Sequence, residues 1–168
     1  NANDLVHSAA RDGRILYANR AWRERLGYSD AEIDRLRLRQ IVHPSSMATF
    51  EEATTRLFRG EAVSQVQVTL VARDGTPVHL SGSANCRMED GVPVATRTIF
   101  RDVSEERRRE AAMARMEANL RAVFESTGDP IWSVDPRGRL VTFNTAFALL
   151  MEVITGKAPE RGASPEEL

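Results

Sequence analysis

The sequence predicts an α+β fold in which a β-hairpin, a group of helices and three further strands follow in that order. A long helix and the front part of a second copy come after them. Three observations predict it. Residues 4–26, DLVHSAARDGRILYANRAWRERL, align without a gap on residues 129–151, DPIWSVDPRGRLVTFNTAFALLM, at a constant offset of 125 (129 − 4). Alternating apolar residues punctuated by Asp-Gly pairs mark strands between residues 62 and 102. Between the repeat copies, residues 104–127 (SEERRREAAMARMEANLRAVFEST) contain neither Gly nor Pro and read as one helix.

In each repeat copy a short apolar strand leads through a Gly-containing turn (RDGR, PRGR) into a second strand (ILYAN, LVTFN) and then a helix. Six aligned positions are identical: Asp4/Asp129, Ser8/Ser133, Gly13/Gly138, Arg14/Arg139, Asn19/Asn144 and Ala21/Ala146. Gly13 and Gly138 supply the positive φ of a tight turn. Asn19 and Asn144 suit helix N-caps, because a short side-chain oxygen can accept from the first-turn N–H groups. Ser29 and Glu32 form a capping box for the next helix. The corresponding signal in the second copy, Ser164 to Leu168, comes ten residues later than the offset requires, with the extra residues within VITGKAPERG. The second copy is thus expected to be cut short.

Past Ser29, a polar link containing His43-Pro44 leads to a helical run over residues 45–58. Three strands are then predicted: residues 62–73, with Val66, Val68 and Leu70 alternating; 77–88, with Val78, Leu80, Ala84, Cys86 and Met88 on one face; and 92–102. Asp74-Gly75 and Asp90-Gly91 mark the turns between them. Asp102, Ser104 and Glu105 are all placed to cap the long helix. Along it, Met113, Met116, Leu120 and Val123 recur at spacings of three, four and three, a short heptad-like seam.

These residues resemble the PAS domain superfamily of sensor modules. The matching motifs are D-G-R-x-x-x-x-N (Asp12 to Asn19), L-G-Y-S-x-x-E (Leu26 to Glu32), V-H-P (Val42 to Pro44), R-D-G-T-x-V (Arg73 to Val78) and F-R-D-V-S-E-E-R (Phe100 to Arg107). The resemblance covers residues 3–104 and again 128–168. It implies a five-stranded antiparallel sheet flanked on one face by helices. It also implies that Asp102-Val103-Ser104 stands at the family's output motif, where the sheet hands its state to the following helix. The family's leading helix has no counterpart before Asn1, so the chain is expected to start inside a longer protein. The division expected is 1–103 for a PAS-like domain, 104–127 for a connecting helix and 128–168 for the front of a second PAS-like domain.

The tripeptide NCR around Cys86 invites a flavin photoreceptor reading, since in light-oxygen-voltage members of the family that cysteine bonds the flavin. There it precedes a short helix in mid-domain and is followed by Phe-Leu-Gln. Here the corresponding stretch, residues 35–42, is RLRLRQIV, whereas Cys86 falls on a late strand and is followed by Met-Glu-Asp. A small apolar core residue is the role expected of it.

Composition excludes several other classes. The 168 residues carry 23 Lys+Arg against 24 Asp+Glu, so no global charge favours nucleic acid. No apolar run approaches the ~20 residues of a membrane helix. One cysteine forms no internal disulfide, and His7, His43 and His79 lack metal-site spacing, so no metal is expected. Pro44 would interrupt the helix that a phosphoacceptor His43 needs. Residues 45–58 lack the histidine by which haem-binding members hold their iron. No catalytic signature appears, so no enzyme activity and no cofactor is predicted for this stretch.

Two functional classes stay open. One is a small-molecule sensor whose pocket is walled by Trp22, Phe50, Leu57, Val68, Leu70, Leu80 and Cys86, with flavin as a variant. The other is a ligand-free dimerisation and relay module. An apolar pocket with a few polar groups would favour the first, and a fully packed core the second; the sequence shows no convergent polar set, which favours the relay module. In either case the expected setting is a cytoplasmic signal-transduction protein of two-component type. Such a chain would form homodimers through the helix seam and act on a downstream histidine kinase or diguanylate cyclase domain, with no nucleic acid and no membrane contact in this stretch.

Overall fold

The computed structural model describes residues 3–164, in two compact units that divide between Arg108 and Arg109. The first unit is built on a five-stranded antiparallel sheet. Its strands are β1 (Leu5–Ala10), β2 (Ile15–Ala18), β3 (Val63–Val71), β4 (Pro77–Glu89) and β5 (Val92–Asp102), in spatial order β2-β1-β5-β4-β3. Between β2 and β3 come the helices α1 (Arg20–Leu26), α2 (Asp30–Ile33) and α3 (Leu38–Ile41), a 3-10 turn (Pro44–Ser46) and α4 (Met47–Leu57). After β5 the chain enters α5 (Ser104–Ser126). The antiparallel sheet with flanking helices is the architecture the motifs imply.

The core forms where the apolar faces of the strands meet these helices. Leu5, Ile15, Trp22, Leu26, Leu70, Val78 and Leu80 belong to one buried cluster, with Trp22 and Leu26 on α1 fully inaccessible. Pairing of β1 with β5 (Leu5 opposite Phe100, His7 opposite Thr98) closes the sheet between segments over ninety residues apart.

Local chemistry sets the turns. Asp90 and Gly91 both have positive φ (49° and 77°), the requirement of the two-residue turn that an Asp-Gly pair predicts. At Asp74-Gly75 only the glycine does, and Asp74 Oδ1 instead accepts from Thr76 N–H at 2.9 Å. The Ser29–Glu32 capping box is present at the start of α2. The helix predicted over residues 45–58 begins as the 3-10 turn, because Pro44 can open a helical turn but cannot donate within it, and His43 Nδ1 accepts from Ser45 N–H.

One expected face needs correction. Val78, Leu80 and Ala84 are buried, but Cys86 is half-buried and Met88 is 47% exposed. An irregularity between Arg87 and Met88 breaks the alternation, so Met88 leaves the core face.

The second unit contains β6 (Trp132–Val134) and β7 (Leu140–Phe143), paired antiparallel, and α6 (Thr145–Thr155). The repeat reappears here at atomic level. Asn19 Oδ1 accepts from Val6 N–H and Trp22 N–H, while its Nδ2 donates to the Asp4 carbonyl. Asn144 Oδ1 accepts from Ile131 N–H and Phe147 N–H, and its Nδ2 donates to the Asp129 carbonyl. These three partners are displaced by the same offset of 125 (131 − 6, 147 − 22, 129 − 4), while Asn144 Nδ2 also donates to the Phe124 carbonyl at 3.1 Å, a bond with no counterpart among the described residues of the first copy. One asparagine side chain in each copy therefore caps the helix and ties its first turn to the start of the hairpin. The ten extra residues of the second copy are partly explained too: α6 reaches Thr155, where α1 ends at Leu26, equivalent to 151 (26 + 125). The capping signal expected over residues 164–168 lies, apart from Ser164, outside the described residues.

Candidate functional site: a core cavity and the strand-to-helix junction

A cavity of about 70 Å³ lies between the sheet and α4 in the first unit. Of the wall residues expected from sequence, Phe50, Leu57, Val68 and Leu70 line it. Trp22, Leu80 and Cys86 stand elsewhere. Trp22 and Leu80 are locked in the main core, and Cys86 donates its thiol to the Ala95 carbonyl at 3.2 Å. Burial raises the Cys86 pKa, the main cause, so the thiol is kept from its nucleophilic thiolate form.

Sequence reasoning missed the polar part of the wall: His7 on β1 with Thr96 and Thr98 on β5. Thr96 is spent within the sheet, accepting from Ala9 N–H at 3.2 Å and donating to the Ala9 carbonyl at 3.3 Å. His7 is 4% exposed, its Nδ1 has no hydrogen-bond partner, and its ring lies 6.1 Å from Phe100 and 6.3 Å from Trp22. Removal from water lowers its pKa to about 4, so the imidazole is neutral at physiological pH. At the cavity edge the exposed Arg11 guanidinium sits over the Phe58 ring, 5.5 Å from its centroid.

The other histidines have local tasks. His43 caps the turn before α4, and His79 Nδ1 lies 2.9 Å from Thr69 Oγ1. Among the described residues no group of three or more His, Cys, Asp and Glu side chains is placed to hold a metal ion, and no helix is long and apolar enough to cross a membrane.

The junction of β5 with α5 is tied to three other elements. Asp102 Oδ1 accepts from Ser104 N–H at 2.8 Å, and its other oxygen accepts from Arg25 Nε on α1. Ser104, itself buried, does not use its hydroxyl as a helix cap: Oγ accepts from His79 N–H on β4 at 2.8 Å. Val103 N–H continues the sheet by donating to the His79 carbonyl, and Arg107 on the first turns of α5 donates to Gln67 on β3 at 2.8 Å. Burial raises the Asp102 pKa, but the bonds from Ser104 and Arg25 outweigh it and hold the carboxyl below its ordinary range. The carboxylate thus stays charged and faces the positive end of the helix dipole.

The seam residues Met113, Met116, Leu120 and Val123 on α5 are 61–74% exposed.

Comparison with known proteins agrees with this architecture. A family model described as PAS fold matches residues 1–108, and one described as PAS domain matches residues 118–162. No curated protein matches the chain. Similar solved structures include a sensory box histidine kinase/response regulator from Burkholderia thailandensis (19% identity, 72% of this chain and 92% of that one covered, TM-score 0.55). A domain of a sensory box sensor histidine kinase/response regulator from Geobacter sulfurreducens is similar at 22% identity, with 61% and 85% covered and a TM-score of 0.50. The PAS-B domain of Cycle from Drosophila melanogaster, solved with bound ethylene glycol, is similar at 13% identity, with 58% and 96% covered and a TM-score of 0.51. With a family model spanning most of the chain and the sheet, helices and exit helix in the matching order, the chain belongs to the PAS family of sensor domains.

Proposed function

We propose that this chain is a sensory region of a signal-transduction protein that passes the state of its first PAS sheet into α5 through the Asp102 junction. The observation that carries this reading is the convergence on Asp102-Val103-Ser104 of bonds from α1, β4 and the first turn of α5. A shift of β5 or α1 cannot leave the start of α5 unchanged while these bonds hold. The mostly apolar cavity with a few polar groups in its wall favours sensing over a purely structural relay, because a fully packed core would leave nothing to respond to.

In the same proposal, α5 pairs with a second copy along Met113, Met116, Leu120 and Val123. The region works in the cytoplasm without a flavin or haem. The output it drives is a histidine kinase, the class named for two of the structural neighbours, with a diguanylate cyclase as the other output class. A cavity of about 70 Å³ falls well below the ~300–1,000 Å³ of pockets that enclose drug-sized ligands, which supports a cofactor-free domain.

Hydrogen exchange tests the junction. Asp102→Ala removes a helix cap, a change that typically costs about 0.5–2 kcal/mol, and is expected to speed exchange over residues 103–110 while the central strands stay protected. Unchanged exchange there would remove Asp102 from the relay.

A further inference from the structure

The turn that opens α4 and the start of α5 are joined by a track of hydrogen bonds across β3 and β4. Thr69 on β3 and His79 on β4 stand opposite each other in the sheet, with their backbone groups pointing outward, as at alternate positions of an antiparallel pair. On the outer side, Thr69 N–H donates to Ser46 Oγ and the Thr69 carbonyl accepts from His43 N–H, both at 2.9 Å. On the inner side, His79 N–H donates to Ser104 Oγ and the His79 carbonyl accepts from Val103 N–H, both at 2.8 Å. Each end is thus gripped by one serine hydroxyl and one backbone N–H. In the middle, Thr69 Oγ1 lies 2.9 Å from His79 Nδ1, a bond that either imidazole tautomer allows because a hydroxyl both donates and accepts.

On the relay reading given above, we propose that this track is a latch by which the turn from His43 to Ser46 holds the start of α5, so that displacement of α4 frees the exit helix. Ser46, Thr69 and Ser104 are buried, so a group that loses its partner finds no water to replace it and its neighbours must shift. β3 is an edge strand. At Thr69 the turn takes the place of the missing neighbour strand, reinforced by the bridge of Val42 with Leu70. α4 follows the turn directly, at Met47, and Phe50 and Leu57 pack it into the core. A movement of α4 therefore pulls on Ser46 first. The Arg25–Asp102 bond reaches the junction from α1, and the track reaches it independently from α4, through Ser104.

The test is hydrogen exchange over residues 103–110 of the whole 168-residue chain. Ser46→Ala cuts the track at its far end and is expected to speed exchange there by at least about threefold, in the range by which residues along such networks alter coupling. In a Ser104→Ala background, where the track is already cut, it is expected to add nothing. Thr96→Val, which removes a buried hydroxyl outside the track, is expected to leave this segment unchanged. Faster exchange confined to Thr69 and the first turn of α4 would overturn the proposal by showing a local bond only. So would effects that multiply in Ser46→Ala/Ser104→Ala, or an equal effect of Thr96→Val. Should Ser46→Ala fail to fold, Thr69→Val cuts the central link and is read by the same outcomes. A silent Ser46→Ala beside a fast-exchanging Asp102→Ala rejects the track and leaves the relay through Asp102. The reverse pattern rejects Asp102 and leaves the track.

Discussion

His7 illustrates how one residue ties stability to the candidate site. Its folded pKa, about 4, lies below the ordinary value of 6.5, so between those values the unfolded chain binds the extra proton. The contribution of the neutral ring is therefore fully present above pH 6.5 and lost as pH falls through the folded value. At ~1.4 kcal/mol per pKa unit it amounts to about 3 kcal/mol. Urea unfolding between pH 7 and pH 4 is expected to show a fall of that order in the wild type that is absent in His7→Leu. Parallel curves for the two proteins would assign the acid sensitivity to other groups. From sequence, His7 was one of three scattered histidines with no visible role. Its importance depends on facing Thr98 across strands ninety-one residues apart (98 − 7), a register that no local pattern encodes. Asn19 and Asn144 were legible as caps because capping is a local bond. Their grip on the start of the hairpin, at Val6 and Ile131, appears only once the hairpin is folded.

At the scale of elements, strands, turns and caps were readable wherever alternation and turn chemistry decide the outcome, as at Asp90-Gly91 and Ser29–Glu32. Reading failed where strands depart from regular pairing: the irregularity at Arg87/Met88 turned Met88 outward. Gly82 was invisible as well. A Cβ there would lie 2.0 Å from the Ile99 carbonyl oxygen, so β4 and β5 approach in a way that admits no side chain. The pocket wall was only partly legible for a related reason. Periodicity marks Trp22 and Leu80 as inward-facing, but inward-facing residues fill a core as readily as they line a cavity. For α5 the apolar stripe was plain in the sequence and is exposed in the single chain. Since full burial of such a side chain contributes roughly 1.5–3 kcal/mol, we expect light scattering to find a dimer at high micromolar concentration and Met116→Asp/Leu120→Asp to dissociate it. A wild-type monomer, or a dimer indifferent to both substitutions, would refute pairing through this stripe.

For the whole molecule, the repeat and the order of motifs made the fold class and family legible, while the linkage between cavity and exit helix was not. Arg25 and Asp102 lie far apart in the chain and meet only when α1 packs on the sheet. His7 touches the ring of Trp22 on the same helix as Arg25, and Thr98 shares β5 with Asp102, so both walls of the cavity lead to the junction. Spatial continuity of this kind becomes coupling only if a change at one end alters the free energy at the other. The direct measurement is a double-mutant cycle read by hydrogen exchange over residues 103–110, with Ala84→Val to fill the cavity and Asp102→Asn to weaken the junction. If the sheet signals through Asp102, filling the cavity changes exchange at the start of α5 in the wild-type background and no longer does so in Asp102→Asn. Equal effects of Ala84→Val in both backgrounds, or none in either, would contradict it.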